Sequence, residues 1–380
     1  MLGALLTCCG TEGERESAKW PVRIAVVAPL SGALGEEGQM LRRGVHLAAG
    51  ETNENSIGPQ PEVFVYDSPC DGQRAVAVAR EIAQDHSISA VIGYLCAASV
   101  RAVLPGYREA GLPLITPTVS GEEVPEELRG KLFSLIFGGS EQAAFLAAYV
   151  RKALGLVRVA VIADHSDYGN LLTGPFLDEA EKQGLITRVF TQTEAAGAAL
   201  TIQEVKAADP HALFLATHPE TARLLLLERR RQHLGGVALA PDVLGDRDFS
   251  EMTGPAADGL LVCQPVLLGG SSPEVVGFVR RFTGAYKRQP DWIAAGGYDA
   301  LRLLRLVVGR EGPRRAAILR GLAAISGREA AFPGLGGPIF FGQGGLCRRP
   351  FYVARLEQGV LKPAAPPTVD FVGVFYQPSF

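Results

Sequence analysis

The sequence predicts an α/β fold of two doubly wound parallel-sheet lobes joined by a hinge of several chain crossings. Three observations carry the prediction. At 380 residues the chain is longer than one hydrophobic core fills, so two domains are expected. Short apolar runs of strand length alternate with stretches of helical spacing, the pattern of parallel strands covered on both faces. The rhythm then breaks near residue 140 and starts afresh.

In the first series, 22–28 (VRIAVVA) is a continuous apolar run bounded by Pro21 and Pro29. A helix follows over 35–53, with Met40, Val45, Leu47 and Ala48 at helical spacing. Residues 63–67 form the next strand and 73–82 (QRAVAVAREI) the next helix; 89–93 and 113–116 are strands flanking a helix at 100–110. In the second series, helices at 141–154, 171–183, 202–207 and 220–232 alternate with strands at 158–163, 186–191, 212–216 and 237–240. A last apolar strand begins at 260 and ends at Pro265. Helices are expected at 273–287, 292–308 and 314–324, and 338–341 with 350–356 read as a hairpin turned by 342–345. Having no strands of their own, the helices after 272 pack most economically back onto the first sheet. That gives an N-terminal lobe of 21–138 plus 266–330 and a C-terminal lobe of 139–265 plus 331–362. A poorly ordered, Pro-rich tail is expected at 363–380. In such sheets ligands bind at the carboxyl ends of the strands, here facing a cleft between the lobes.

Composition removes several function classes. Hydrophobic residues make up 47% and charged residues 20%, enough for packed cores. A net charge of −3 supplies no basic field for nucleic acid. No apolar stretch approaches the roughly 20 residues that cross a bilayer. Residues 1–7 (MLGALLT) precede Cys8, Cys9, Gly10 and a polar segment to Lys19. Two readings fit this leader of 1–20: the remnant of a lipoprotein signal, lipidated at Cys8 or Cys9, or a ragged terminus with two incidental cysteines. Cys70 and Cys96 fall near the ends of consecutive strands, where a bridge is geometrically reasonable. Spacing alone equally allows two buried thiols, so the redox compartment stays open at this point. Cys263 and Cys347 are expected to be free, partly buried thiols.

Catalytic patterns are missing. The histidines (His46, His86, His165, His211, His218 and His233) form no His-x-x-x-His pair, and no Cys-x-x-Cys accompanies them. Ser31 and Ser120 lack the flanking glycine of a nucleophile elbow. Residues 334–337 (GLGG) run into Pro-Ile-Phe-Phe, a turn and not a phosphate cradle. The pairs Glu36-Glu37, Glu122-Glu123 and Glu126-Glu127 read as solvated faces. No catalytic residue, metal or cofactor is assigned. What remains is two polar loops directly after strands, 95–99 (LCAAS) and 116–121 (TPTVSG). Both end in hydroxyl and backbone N–H groups near a helix start, where a carboxylate is stabilised by amide donors and the helix dipole. Each by itself reads first as a plain N-cap.

Taken in order, 23–32 (RIAVVAPLSG), 66–79 (YDSPCDGQRAVAVA), 91–96 (VIGYLC), 114–117 (LITP), 164–169 (DHSDYG), 218–220 (HPE) and 259–262 (GLLV) resemble the class I periplasmic binding proteins for leucine, isoleucine and valine. The resemblance runs from Arg23 to about Leu361, and it is the shared order and spacing that carries it. It implies an extracytoplasmic solute-binding protein, expected to be monomeric, that captures an amino acid or related small carboxylate in the cleft. The captured ligand would be delivered to the membrane permease of an ABC importer. It implies the Cys70–Cys96 disulfide, and a ligand carboxylate held by the loops after two strands. There Ala97 stands where a hydroxyl is expected, with Ser99 two residues on, and Thr118 and Ser120 match the second loop. Asp242, after Pro241, matches the acid that holds an α-ammonium, and Tyr168 an aromatic from the second lobe. Besides Ala97, and Asp242 one methylene shorter than the usual Glu, Glu37 and Thr217 depart from the family pattern in place of tyrosines and Ile293 in place of a phenylalanine. The pocket wall is therefore smaller and more polar than a leucine site. Glu37 either answers a second positive group on the ligand or faces water at the rim. The competing reading is a ligand-sensing regulator of the same fold, an amide or amino-acid sensor, for which reduced thiols would speak.

Overall fold

The computed structural model describes residues 22–51, 60–164, 166–192 and 197–369; the leader with Cys8 and Cys9 lies outside the described residues. The first sheet is built from β1 (Val22–Ala28), α1 (Gly35–Ala49), β2 (Pro61–Asp67), α2 (Gly72–Gln84), β3 (Ile88–Gly93), α3 (Ala97–Glu109), β4 (Leu114–Thr116) and β5 (Leu132–Ser134). Its strand order is β2-β1-β3-β4-β5, all parallel. Apart from Arg23, β1 is buried throughout, because helices cover both faces of the sheet. Strand β5 was not expected. It is three residues long and is reached through two 3-10 turns at 121–123 and 126–131, too short to show a period.

The second series gives α4 (Gly139–Lys152), β6 (Arg158–Ala163), α5 (Asp167–Lys182), β7 (Ile186–Thr191), α6 (Ala198–Ala207), β8 (Ala212–Ala216), α7 (Pro219–Arg231), β9 (Val237–Ala240), α8 (Arg247–Thr253) and β10 (Leu261–Gln264). The chain then forms α9 (Pro273–Tyr286), α10 (Trp292–Glu311) and α11 (Arg315–Ala323). It continues through β11 (Phe332–Gly334), β12 (Gly337–Phe341), β13 (Cys347–Arg348), β14 (Tyr352–Glu357) and β15 (Val360–Pro363). The second sheet has the order β15-β14-β10-β9-β8-β6-β7. Five of its strands are parallel, and β14 and β15 add an antiparallel edge.

The late helices return to the first sheet as expected. Tyr286 Oη donates to the Arg43 carbonyl at 3.0 Å, and Arg315 donates to the carbonyls of Ile88, Ala83, Ala110 and Asp85. Helices α1 and α10 approach so closely that a Cβ at Gly44 would lie 2.0 Å from the Ala294 carbonyl oxygen. Only glycine fits there.

Two expectations are corrected. The hairpin joining 338–341 to 350–356 does not form: β12 pairs with β11 and with β13, Phe341 opposite Cys347. Strand β14 instead joins β10 and turns into β15 through Gln358 and Gly359, at φ 51° and 79°. Both central residues at positive φ is the signature of a tight two-residue hairpin, and glutamine at the first of them hid it. The segment 331–362 therefore divides: Phe341 stacks edge-on against Phe133 of β5, while β14 and β15 extend the second sheet. The Pro-rich segment is not free either. Through residue 369 it lies along β14, with Val353 N donating to Pro367 O (2.7 Å), Ala364 N to Val353 O (2.9 Å) and Tyr149 Oη to Pro366 O (2.6 Å).

The chain passes between the sheets three times, after β5, after β10 and before β14. Arg349, 4% exposed, ties the three passages together. Its Nη1 donates to Leu135 O at 2.7 Å and its Nη2 to Pro265 O at 2.9 Å.

Candidate functional site

A cavity of about 220 Å³ lies between the two sheets, walled by residues from both and by Ile136 and Phe137 of the first passage. Six of the residues singled out in the sequence line it: Glu37, Thr118, Ser120, Tyr168, Asp242 and Ile293. Ala97, Ser99 and Thr217 do not. Ser99 shares the buried face of α3 with Val100 and Val103, so its hydroxyl is sealed into the helix–sheet interface without a hydrogen-bond partner. Thr217, directly after β8, is fully buried, and its Oγ1 has no partner either.

Each lining residue is placed by a helix start or a post-strand loop. Glu37 sits in the first turn of α1, where the helix dipole favours a carboxylate. Tyr168 sits in the first turn of α5, capped by Ser166 Oγ accepting from Gly169 N at 2.9 Å. It stacks on His218 with ring centroids 5.3 Å apart. Its hydroxyl is shut off from solvent with no partner. Asp291 caps α10 by accepting from Ala294 N at 2.8 Å, which sets Trp292 and Ile293 in the first turn at the cleft.

The 116–121 loop is an N-cap as well as a cavity wall. Thr118 Oγ1 donates to Tyr94 O at 3.3 Å. Ser120 Oγ accepts from Glu122 N at 3.1 Å, while Ser120 N donates to Glu123 Oε1 at 2.8 Å, a capping box. The Ser120 O–H is left free to donate into the cavity.

The ionisable lining is acidic. Asp242, 5% exposed, is clasped by Gln142: Gln142 Nε2 donates to its Oδ1, and its own N–H donates to Gln142 Oε1, both at 3.0 Å. Burial pushes the Asp242 carboxyl up to about 6. Burial, aided by the charges of Asp291, Asp242 and Glu37, lifts Asp246 to about 7 against a 2.8 Å hydrogen bond from Trp292 Nε1. Burial also raises Glu37 and Glu123. Glu37 Oε2 is shielded from water and has no partner, whereas its neighbour Glu36 takes Arg43 and Arg288, each at 2.8 Å.

Sequence reasoning missed Gln142, Glu123, Asp246 and Trp292. Glu123 and Asp246 reach the cavity from 3-10 turns, which leave no periodic trace. Gln142 and Trp292 lie beside recognised positions, in the first turns of α4 and α10. Among the described residues, contacts across the cleft include Trp292 to Asp246, Ser140 N to Glu122 Oε2 at 2.9 Å, and Arg348 to Glu141. Cys70 and Cys96 are disulfide-bonded with Cα atoms 5.6 Å apart, which anchors the loop before α2 to the start of α3. Cys263 and Cys347 are buried free thiols. Among the described residues no cluster of three or more His, Cys, Asp or Glu could hold a metal ion, and no helix is long and apolar enough to cross a membrane.

Comparison with known proteins places this geometry. A curated leucine-specific-binding protein of Salmonella typhimurium is 30% identical over 252 residues, 64% of this chain and 67% of that protein. A leucine-, isoleucine-, valine-, threonine- and alanine-binding protein of Pseudomonas aeruginosa is 26% identical over 249 residues, 64% of this chain and 66% of that protein. This chain thus spans just under two thirds of the length of that relative. In fold it matches an ABC transporter substrate-binding protein from Desulfitobacterium hafniense, with TM-score 0.77 and 22% identity, over 90% of this chain and all of the other. The sequence pattern described as "periplasmic binding protein" matches residues 21–360, nearly the whole chain, and the chain belongs to that family.

Proposed function

We propose that this chain is an extracytoplasmic solute-binding protein that closes on an amino acid or related small carboxylate and delivers it to the permease of an ABC importer. The observation that carries the reading is the cavity itself. One space between the sheets is walled by a buried carboxylate of the second lobe, Asp242, and by the hydroxyl-bearing loop of the first. Asp242 suits an ammonium; the free O–H of Ser120 and the unpartnered hydroxyl of Tyr168 suit a carboxylate. The names of the curated relatives, which bind leucine and other amino acids, support the same class of cargo.

No hydroxyl of the cavity wall is hydrogen-bonded to a carboxylate or imidazole side chain among the described residues, so the proposed function is capture and release without turnover. The Cys70–Cys96 bond suits an oxidising compartment and favours transport over a cytoplasmic sensor. Lipidation at Cys8 or Cys9 belongs to the proposal on the sequence alone. It predicts fatty-acid labelling in cells that is lost when both cysteines are changed to serine.

A thermal-shift screen over amino acids and small carboxylates tests the main reading. A ligand at one hundred times its Kd stabilises the fold by about 2.7 kcal/mol. Asp242→Asn should remove most of that gain while the ligand-free protein stays folded. If no amino acid and no small carboxylate raises the melting temperature, the reading is wrong.

A further inference from the structure

We propose that the cargo is a basic amino acid, whose side-chain cation sits at Glu37 and Asp246 beside the Trp292 indole. This rests on the reading of the cavity as an amino-acid site and names the class of amino acid it takes.

Four carboxylates line the cavity, those of Glu37, Glu123, Asp242 and Asp246, and no lysine, arginine or histidine does. An α-ammonium at Asp242 answers one of them. Glu123 is answered within the protein, by the backbone N–H of Ser120. Glu37 and Asp246 are left without a cation. The nearby guanidinium groups are committed elsewhere, Arg43 and Arg288 to Glu36 and Arg247 to Glu251.

A sealed carboxylate without a cation is costly, so either it takes a proton or something positive fills the gap. Independently of charge, the Oε2 of Glu37 is cut off from water with no donor beside it. Of the two roles the sequence leaves open for Glu37, this half-buried position with one shielded oxygen favours a contact to the ligand. Asp246 has one hydrogen-bond donor, Trp292 Nε1, and its remaining acceptor capacity is unused by any side-chain donor among the described residues. The indole adds an aromatic surface that attracts an organic cation.

There is also room. A second cavity of about 580 Å³ shares Glu37, Asp246, Trp292 and Ile293 with the first, so a side chain passing these residues has space ahead of it. That space carries further carboxylates at Glu36, Asp248, Glu251 and Asp291 and two guanidinium groups, Arg247 and Arg288, which are paired with Glu251 and Glu36. A metal ion is the other cation that acidic walls attract, but no metal-holding cluster occurs among the described residues.

The test pairs lysine with norleucine, its uncharged relative, and adds arginine, ornithine and leucine, with Kd measured by calorimetry on the full chain. Lysine, arginine or ornithine should bind at least tenfold more tightly than norleucine or leucine. Glu37→Gln should weaken that ligand at least fivefold more than it weakens norleucine, with the ligand-free melting temperature unchanged or raised. Norleucine or leucine binding as tightly as the basic set would overturn the inference and leave the amino-acid clamp standing. Binding by none of the five, with a small carboxylate binding instead, would overturn this inference and keep the clamp. No binding by any amino acid or carboxylate would overturn both.

Discussion

Asp242 shows how much a single side chain can do and how much of that is written in the sequence. Its place after a strand and a proline was legible. The Gln142 clasp was not, since the two residues are 100 positions apart in the chain. Removing the amide by Gln142→Leu takes one hydrogen bond from the Asp242 carboxylate and leaves its N–H without an acceptor, at a cost of about 1–3 kcal/mol in urea unfolding, with weaker ligand binding as well. The raised carboxyls also set a pH dependence. Asp242, Asp291 and Asp299 are lifted to about 6 and Asp246 to about 7, so between pH 4 and 7 the folded chain holds more protons than the unfolded one. Stability of the ligand-free protein therefore rises as pH falls from 7.5 to 5. The depressed His46 opposes this below its ordinary range, and the depressed Asp164 and Asp85 act at lower pH still. Binding of a cationic ligand runs the other way and weakens on acidification. Melting temperatures with and without ligand at pH 5, 6 and 7.5 check both signs.

Among the elements, those that fill a core were readable and those that shape the cleft were less so. Strands β1, β3, β6 and β8 are apolar runs because both faces are covered, and helices α1 and α10 show their buried stripes. Strand β5, helix α8 and the β14–β15 hairpin went unread. The first two are three and seven residues long, and the hairpin turns on a glutamine at positive φ. The disulfide was open on spacing and pointed to only by family resemblance. Replacing both Cys70 and Cys96 by serine should cost about 3.5 kcal/mol for a 26-residue separation in the chain-entropy account. Because Leu95 lines the cavity next to Cys96, ligand affinity should fall as well. Reduction of the native protein, followed by melting temperature and Kd, gives the same comparison without mutation.

For the molecule as a whole, two sheets and three passages were foreseeable from the restart of the rhythm near 140, while the partition of 331–362 was not, since neighbouring short strands in that segment serve different sheets. Arg349 governs how the parts hold together. Arg349→Leu strands two buried carbonyl oxygens and should destabilise the fold by about 2–4 kcal/mol. With the clasp gone, calorimetry should resolve two transitions where the native chain shows one. A guanidinium that ties three chain passages at one point acts as a pivot, about which the two bodies can swing once the contacts across the cleft part. The facing rims then travel along arcs, widest at the points farthest from Arg349.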